Sequence, residues 1–296
     1  MGDIVKIRDF PEANYKSVFF NDKTIRFTYD SKKPIKDLEF PEFYDVSVTH
    51  KCNGNCPYCY QDSIFEREHT QNILAKVLTF FEAMNQNERP FQIAYGGGEP
   101  TLHPQFIQLL KLTRDLGIVP NYTTNGMNIS KELLEATKKY CGGIALTCHP
   151  HLRKYWEKAT SQFVKSKIRT FFHIIISDKE SIVEFLDIYK KYRKKVEFFV
   201  LLPYLTIGRA EQKEVDFDFL FNELKELSEK SKIDINQIVF GAKFYPRIKK
   251  EKWLDISIYE PEIMSKYLDL ETMSLYKSSF EEKPIKQFEL KEGYYV

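Results

Sequence analysis

Three cysteines within eight residues carry the first chemistry in this sequence. Cys52-Asn53-Gly54-Asn55-Cys56-Pro57-Tyr58-Cys59 spaces them C-x3-C-x2-C, directly after the strand-like run Tyr44 to Thr49. Three thiolates so placed can hold an iron–sulfur cluster and leave one iron without a protein ligand, an open position at which a reaction can occur. The two remaining cysteines, Cys141 and Cys148, form no second C-x2-C pair. Structural zinc takes four ligands and would need His50 or His69 to complete the set. A disulfide scaffold fits less well still, because disulfide-stapled domains are small and cysteine-dense.

A second motif follows about forty residues on. The buried-strand pattern Phe91-Gln92-Ile93-Ala94-Tyr95 runs straight into Gly96-Gly97-Gly98-Glu99-Pro100. In order and in context the pair resembles the radical S-adenosylmethionine superfamily, whose members carry C-x3-C-x-aromatic-C after the first barrel strand and a Gly-Gly-Glu turn after the second. The resemblance implies that Cys52, Cys56 and Cys59 ligate one 4Fe–4S cluster, and that S-adenosylmethionine chelates the fourth iron. Tyr58 would lie near the adenine, and the turn Gly96, Gly97, Gly98 and Glu99 would hold the methionine amino group. Glycine suits that task because backbone without a side chain can come close to a ligand and offer its carbonyls to an ammonium.

The same resemblance assigns Thr124 and Asn125 of Thr124-Asn125-Gly126, and Thr147 at the end of the fourth strand, to S-adenosylmethionine binding. Ser177, ending the fifth strand, is either a further contact or a plain surface turn. Gly208-Arg209-Ala210 is similar to a turn found after the sixth strand in peptide-modifying members, where Arg209 would hold a substrate carboxylate by a bidentate pair. His149 follows the fourth strand and either faces the cavity as an acid or base or caps the next helix before Pro150. Cys148 alternates away from Thr147 and reads as core. If a thiol returns a hydrogen atom to a substrate radical, as in some radical peptide epimerases, Cys141 and Cys148 are the candidates.

Elements must position these groups, and from residue 44 a strand-then-helix pattern repeats, the signature of parallel β/α architecture. Strands are expected at 44–49, 91–95, 118–124, 143–148, 170–176 and 196–202. Between them lie helical faces such as Ile73, Leu74, Val77, Leu78, Phe81 and Met84, or Phe217, Leu220, Phe221, Leu224 and Leu227. Ser130 should cap a helix carrying Leu133, Leu134 and Thr137, and Gly117 should stop the helix before it. Six units match the partial (β/α)6 TIM-like barrel of the family. The expected organisation is an N-terminal extension, 1–43, with a β-hairpin turning at Asn21-Asp22, a barrel over 44–237, and a C-terminal α+β extension, 238–296, that could cap it. The hairpin either packs on the barrel edge or helps close over substrate; the sequence does not decide.

Composition sets outer bounds. Lys plus Arg against Asp plus Glu is 44 to 42, so no global field draws the chain to nucleic acid or a membrane. Apolar runs stay too short for a membrane span, and charges interrupt them at the amino terminus. The expected compartment is the reducing cytoplasm. No cysteine follows Cys148, which argues for a single cluster without an auxiliary-cluster domain.

The resemblance implies an enzyme in which reductive cleavage of S-adenosylmethionine gives a 5′-deoxyadenosyl radical that abstracts hydrogen from substrate. A flavodoxin or ferredoxin would supply the electron. The leading reading is modification of a peptide or protein side chain; the alternatives are a small molecule or nucleotide as substrate, and more remotely a non-catalytic cluster or zinc protein.

Overall fold

Three strands precede the part of the chain that carries the motifs. In the structure, a computed structural model that describes residues 6–20, 23–212, 215–231, 233–251, 261–291 and 294–295, β1 (Lys6–Phe10), β2 (Tyr15–Phe20) and β3 (Lys23–Phe27) form an antiparallel sheet in that order. The expected hairpin is β2 with β3, while its turn, Asn21-Asp22, lies outside the described residues. β1 escapes the sequence pattern because its inward residue is Arg8, buried against Phe91 with its guanidinium donating to the Phe40 carbonyl.

The small sheet docks at the amino-terminal ends of the barrel strands. Phe19 stacks on Phe91 at 5.2 Å, and the buried Glu42 receives the Tyr15 hydroxyl and the Arg26 guanidinium. Both anchors lie at the foot of the barrel, so this sheet closes the end opposite the motifs.

The motif-bearing strands are β4 (Phe43–Thr49), β5 (Gln92–Gly97), β6 (Val119–Thr124), β7 (Gly143–Thr147), β8 (Thr170–Ile176) and β9 (Phe198–Pro203). They pair in sequence order and all in parallel. Helices α1 (Ile73–Glu82), α2 (Phe106–Asp115), α3 (Lys131–Tyr140), α4 (Arg153–Lys165), α5 (Lys179–Tyr192) and α6 (Phe217–Ser231) follow them. Alternation decides what each strand shows to which side: Tyr44, Val46 and Val48 face the helices, with Tyr44 edge-on to Phe80 and Phe81, while Asp45, Ser47 and Thr49 face inward. Caps fall where local chemistry demands. The Ser130 hydroxyl accepts the Leu133 N–H at 3.1 Å, and Gly117, at φ +75°, ends the turn after α2.

Two further strands extend the sheet beyond the six. β10 (Ile238–Phe240) adds in parallel to β9, and β11 (Ser265–Asp269) adds in parallel to β4 on the other flank, followed by the antiparallel β12 (Ser274–Tyr276) and β13 (Lys286–Gln287). Among the described residues the sheet is therefore an open α/β partial barrel of ten strands, β10 at one edge and β13 at the other.

Candidate active site

At the carboxyl ends of the strands a cavity of about 410 Å³ opens, and both motifs line it. Such placement follows from parallel β/α topology, in which the loops after the strands converge at one end. The cluster loop leaves β4 and returns under its own contacts: the Cys52 N–H donates to the Ile64 carbonyl at 3.0 Å. Within it the Gly54 N–H points at the Cys52 sulfur (3.3 Å) and the Ser63 N–H at the Cys59 sulfur (3.4 Å). A Cβ on Gly54 would sit 3.4 Å from both the Cys52 and Cys56 sulfurs, so glycine keeps the space between them clear.

All five cysteines are free thiols. Burial pushes Cys52 up to about 11 and Cys56 up to about 12, so their thiolates require a bound cation to offset lost hydration. Iron supplies that charge, and three sulfurs on one short loop fit a cluster with one open iron. Zinc does not fit as well. Among the described residues no three His, Cys, Asp or Glu side chains are placed to hold a single metal ion. His50 turns instead to Asp269 at 3.2 Å, and His69 packs edge-on against His103.

The glycine turn divides its three residues between two tasks. Gly97, at φ +104°, presses on the end of β4 and Gly98 on the loop leaving it, where a Cβ would come within 2.5 Å of the Ser47 hydroxyl and 2.2 Å of the Lys51 carbonyl respectively. A Cβ on Gly96 would meet nothing within 4 Å, although this residue lines the cavity. Only a bound molecule would contest that space, which is the fit expected of a cofactor cradle.

Glu99, 1% exposed, binds the loops together rather than facing open space. It accepts the Thr101 N–H (3.2 Å), the Thr101 hydroxyl (2.6 Å), the Thr124 hydroxyl (2.7 Å) and the Asn125 N–H (2.7 Å). Burial raises its pKa and these donors pull it back. Asn125 in turn donates to the Asn53 side chain at 2.8 Å, tying the loop after β6 to the cluster loop. Thr147 lines the same wall, its hydroxyl reaching the Thr124 carbonyl at 3.5 Å.

Tyr58 and His149 meet across the cavity. With the imidazole neutral, the Tyr58 hydroxyl donates to His149 Nδ1 at 3.1 Å; burial, with His151 and His173 nearby, holds His149 down at about 3. The His149 side chain makes no cap hydrogen bond to the following turn, and it lines the cavity. His151 stacks on His149 and donates from Nε2 to the Gly54 carbonyl at 3.2 Å.

Four sequence candidates are placed elsewhere. Cys148 packs in the core behind β7, as alternation requires, and Cys141 precedes that strand at the barrel's far end. Ser177 gives its hydroxyl to Asp178 (2.7 Å), inside the capping box that starts α5. Arg209 braces the cluster loop from outside: its N–H donates to the Cys59 carbonyl (3.0 Å), its guanidinium to the Ser63 carbonyl (2.8 Å), and Asp62 lies 3.3 Å away. Gly208, at φ +64°, permits this approach, since a Cβ there would lie 2.4 Å from the Cys59 carbonyl.

Several lining residues belong to no motif. Asp45, His173, Tyr204 and Tyr267 all face the cavity from strands or strand ends. Gln61 donates to the Tyr267 hydroxyl at 3.0 Å. Period-2 alternation was the available signal: His173 interrupts an otherwise apolar strand between Phe171 and Ile175, and Asp45 begins the polar face of β4 that continues through Ser47 and Thr49.

Comparison with known proteins agrees with this geometry. The family described as the Radical SAM superfamily matches residues 46–212. A PqqA peptide cyclase of Gluconobacter oxydans is 29% identical over 91 residues, 31% of this chain and 25% of the relative. An S-adenosylmethionine-dependent nucleotide dehydratase of Flammeovirga pacifica is 33% identical over 103 residues, 32% of this chain and 34% of the relative. The matched stretch thus spans about a third or less of either relative's length. Among solved structures, Streptococcus suis SuiB bound to S-adenosylmethionine superposes with a TM-score of 0.71 at 14% identity, covering 96% of this chain and 84% of that one. The same protein bound to its precursor peptide SuiA gives 0.66 at 15% identity over 85% and 63%.

Proposed function

This chain belongs to the Radical SAM superfamily, and from that premise we propose that it modifies a side chain of a peptide or protein. It is an enzyme whose cofactors are a 4Fe–4S cluster and S-adenosylmethionine. When bound, the two supply one-electron cleavage of a sulfonium and hence abstraction of hydrogen from an unactivated carbon. The single observation that carries the reading is that Cys52, Cys56, Cys59 and the open cradle at Gly96 line one cavity, which extends further toward β4, β9 and β11.

The chain's own residues supply placement. Cys52, Cys56 and Cys59 hold the cluster, and Arg209 fixes the loop that presents them. Gly96, Gly97, Gly98, Thr124, Asn125 and Thr147 shape the S-adenosylmethionine side, with Glu99 locking the loops that bear them. Tyr58, held by His149, forms an aromatic wall and keeps water from the reacting atoms. His149, held neutral by burial, is too weak a base to take up a proton near neutral pH and serves as the hydrogen-bond acceptor that orients Tyr58.

Support for a peptide comes from the PqqA peptide cyclase relative and from the fold shared with SuiB. An electron donor such as flavodoxin or ferredoxin and a cytoplasmic location accompany the reading; no helix among the described residues is long and apolar enough to cross a membrane. The second reading, a small molecule or nucleotide, draws on the dehydratase relative.

The test is anaerobic reconstitution with iron and sulfide, reduction in the presence of S-adenosylmethionine, and measurement of 5′-deoxyadenosine beside Cys56→Ala. Wild type should form it, and the variant should lose cluster iron and product together. Deuterium carried from labelled peptides into 5′-deoxyadenosine would support a peptide substrate; transfer from nucleotides alone would replace that reading with the second.

A further inference from the structure

Asp45 is the one carboxylate on the inward face of β4, and it opens into the cavity below the cluster loop. Its strand neighbours set its surroundings. Ala94 of β5, in register on one side, is too small to cover it, and Tyr267 of β11, in register on the other, stands beside it. Tyr60, tilted against Phe280 at 5.0 Å, completes an aromatic rim on the same side. The side chain is exposed to the open cavity; the surrounding protein desolvates the carboxyl and pushes it up toward about 7, an effect that water in the cavity screens.

No cation among the described residues of the cavity answers it. Lys243 stands 3.8 Å from Glu281 and lies over the Phe280 ring. Arg209 spends its guanidinium on Ser63 and Asp62. His149 and His173 are held neutral, at about 3 and about 4, by burial. Asp45 itself makes no hydrogen bond or ion pair among the described residues, and desolvation alone shifts it. A carboxylate that opens into a cavity among aromatic side chains, with no cation to pair it, is the kind of group a ligand completes. A carboxylate beside tyrosine side chains suits an ammonium or guanidinium, which gains the ion pair and, over a ring, the attraction of its π face.

We propose that Asp45, walled by Tyr60 and Tyr267, anchors a cationic group of the substrate. Sheet order separates this anchor from the cofactor's cradle: the S-adenosylmethionine contacts come from the ends of β5, β6 and β7, whereas Asp45 and Tyr267 lie on β4 and β11. The cation being a lysine or arginine side chain rests on the peptide reading; the anchor for a cation does not.

The test uses reconstituted enzyme with S-adenosylmethionine bound and three probes in calorimetric titration: N-acetyl-lysine methylamide, the norleucine analogue that lacks only the ammonium, and n-butylamine. The lysine probe should bind about tenfold more tightly than the norleucine probe, and Asp45→Asn should remove the preference while its melting temperature stays at or above that of wild type. Equal affinity of the two probes, including no binding by either, overturns the proposal unless n-butylamine binds in an Asp45-dependent way. That last pattern keeps the anchor and removes the peptide. A weaker grip on S-adenosylmethionine in Asp45→Asn, with no probe preference in wild type, would assign the acid to the cofactor's sulfonium and overturn the proposal.

Discussion

Glu99 and Asp45 are both carboxylates of one cavity, and desolvation raises the pKa of each. Their surroundings differ. Glu99 accepts four hydrogen bonds from Thr101, Thr124 and Asn125, so its charge is spent inside the protein. Asp45 accepts none among the described residues. The side of the cavity built by β5, β6 and β7 is a finished frame, with loops cross-linked to one another; the side built by β4 and β11 is left incomplete until something enters. Polar groups in frames are satisfied, and those awaiting ligands are not.

The glycine turn repeats this contrast at the scale of single residues, and the largest expected effect lies there. Gly98→Ala places a methyl 2.2 Å from the Lys51 carbonyl, a backbone atom that cannot step aside. It should cost about 3 kcal/mol or more and lower the thermal midpoint even without cofactor. Gly96→Ala meets no protein atom, so the midpoint should hold or rise slightly. Its damage should appear in S-adenosylmethionine affinity, weakened on the order of tenfold. Equal stability losses for the two would erase the distinction between frame and cradle.

Glu99→Gln is the next largest. A glutamine offers one acceptor oxygen where four donors converge, and its amide nitrogen must face an N–H or a hydroxyl. A cost of about 2 kcal/mol is expected from the disrupted charge-assisted bonds, read by urea unfolding of the cofactor-free chain. No loss would mean that the frame does not depend on Glu99.

Much of the frame was legible in the sequence because it is local. The cluster loop, the glycine turn and Thr124-Asn125 each sit a few residues past a strand, and alternation found the six central strands. What escaped was assembled from afar. β11 lies more than two hundred residues from β4, its pairing partner, and no short-range pattern announces it. Arg8 hid β1, because a buried arginine reads as a surface residue. Asp45 hid for a related reason: in a half-buried strand the polar face points to water, whereas in a barrel the same face lines the cavity. Arg209 could be recognised as part of a turn, but its contacts with Cys59, Ser63 and Asp62 exist only once that turn meets the cluster loop.

The smallest effect is a pH dependence, and it bears on the incomplete side. In the unfolded chain Asp45 titrates at its ordinary value of 3.8, and in the fold desolvation pushes it up toward about 7, a shift reduced by the water that reaches this exposed side chain in the cavity. Between those values the native state binds the extra proton, so stability contributed by this group falls as pH rises, and the loss levels off above about 7. The amide introduced by Asp45→Asn cannot titrate. The difference in stability between Asp45→Asn and wild type, measured on cofactor-free protein by urea unfolding, should therefore widen in favour of the variant from about pH 4 to about pH 7 and stay flat beyond. A difference that is constant with pH would mean that Asp45 is hydrated like a surface acid, and the contrast with Glu99 would then rest on geometry alone.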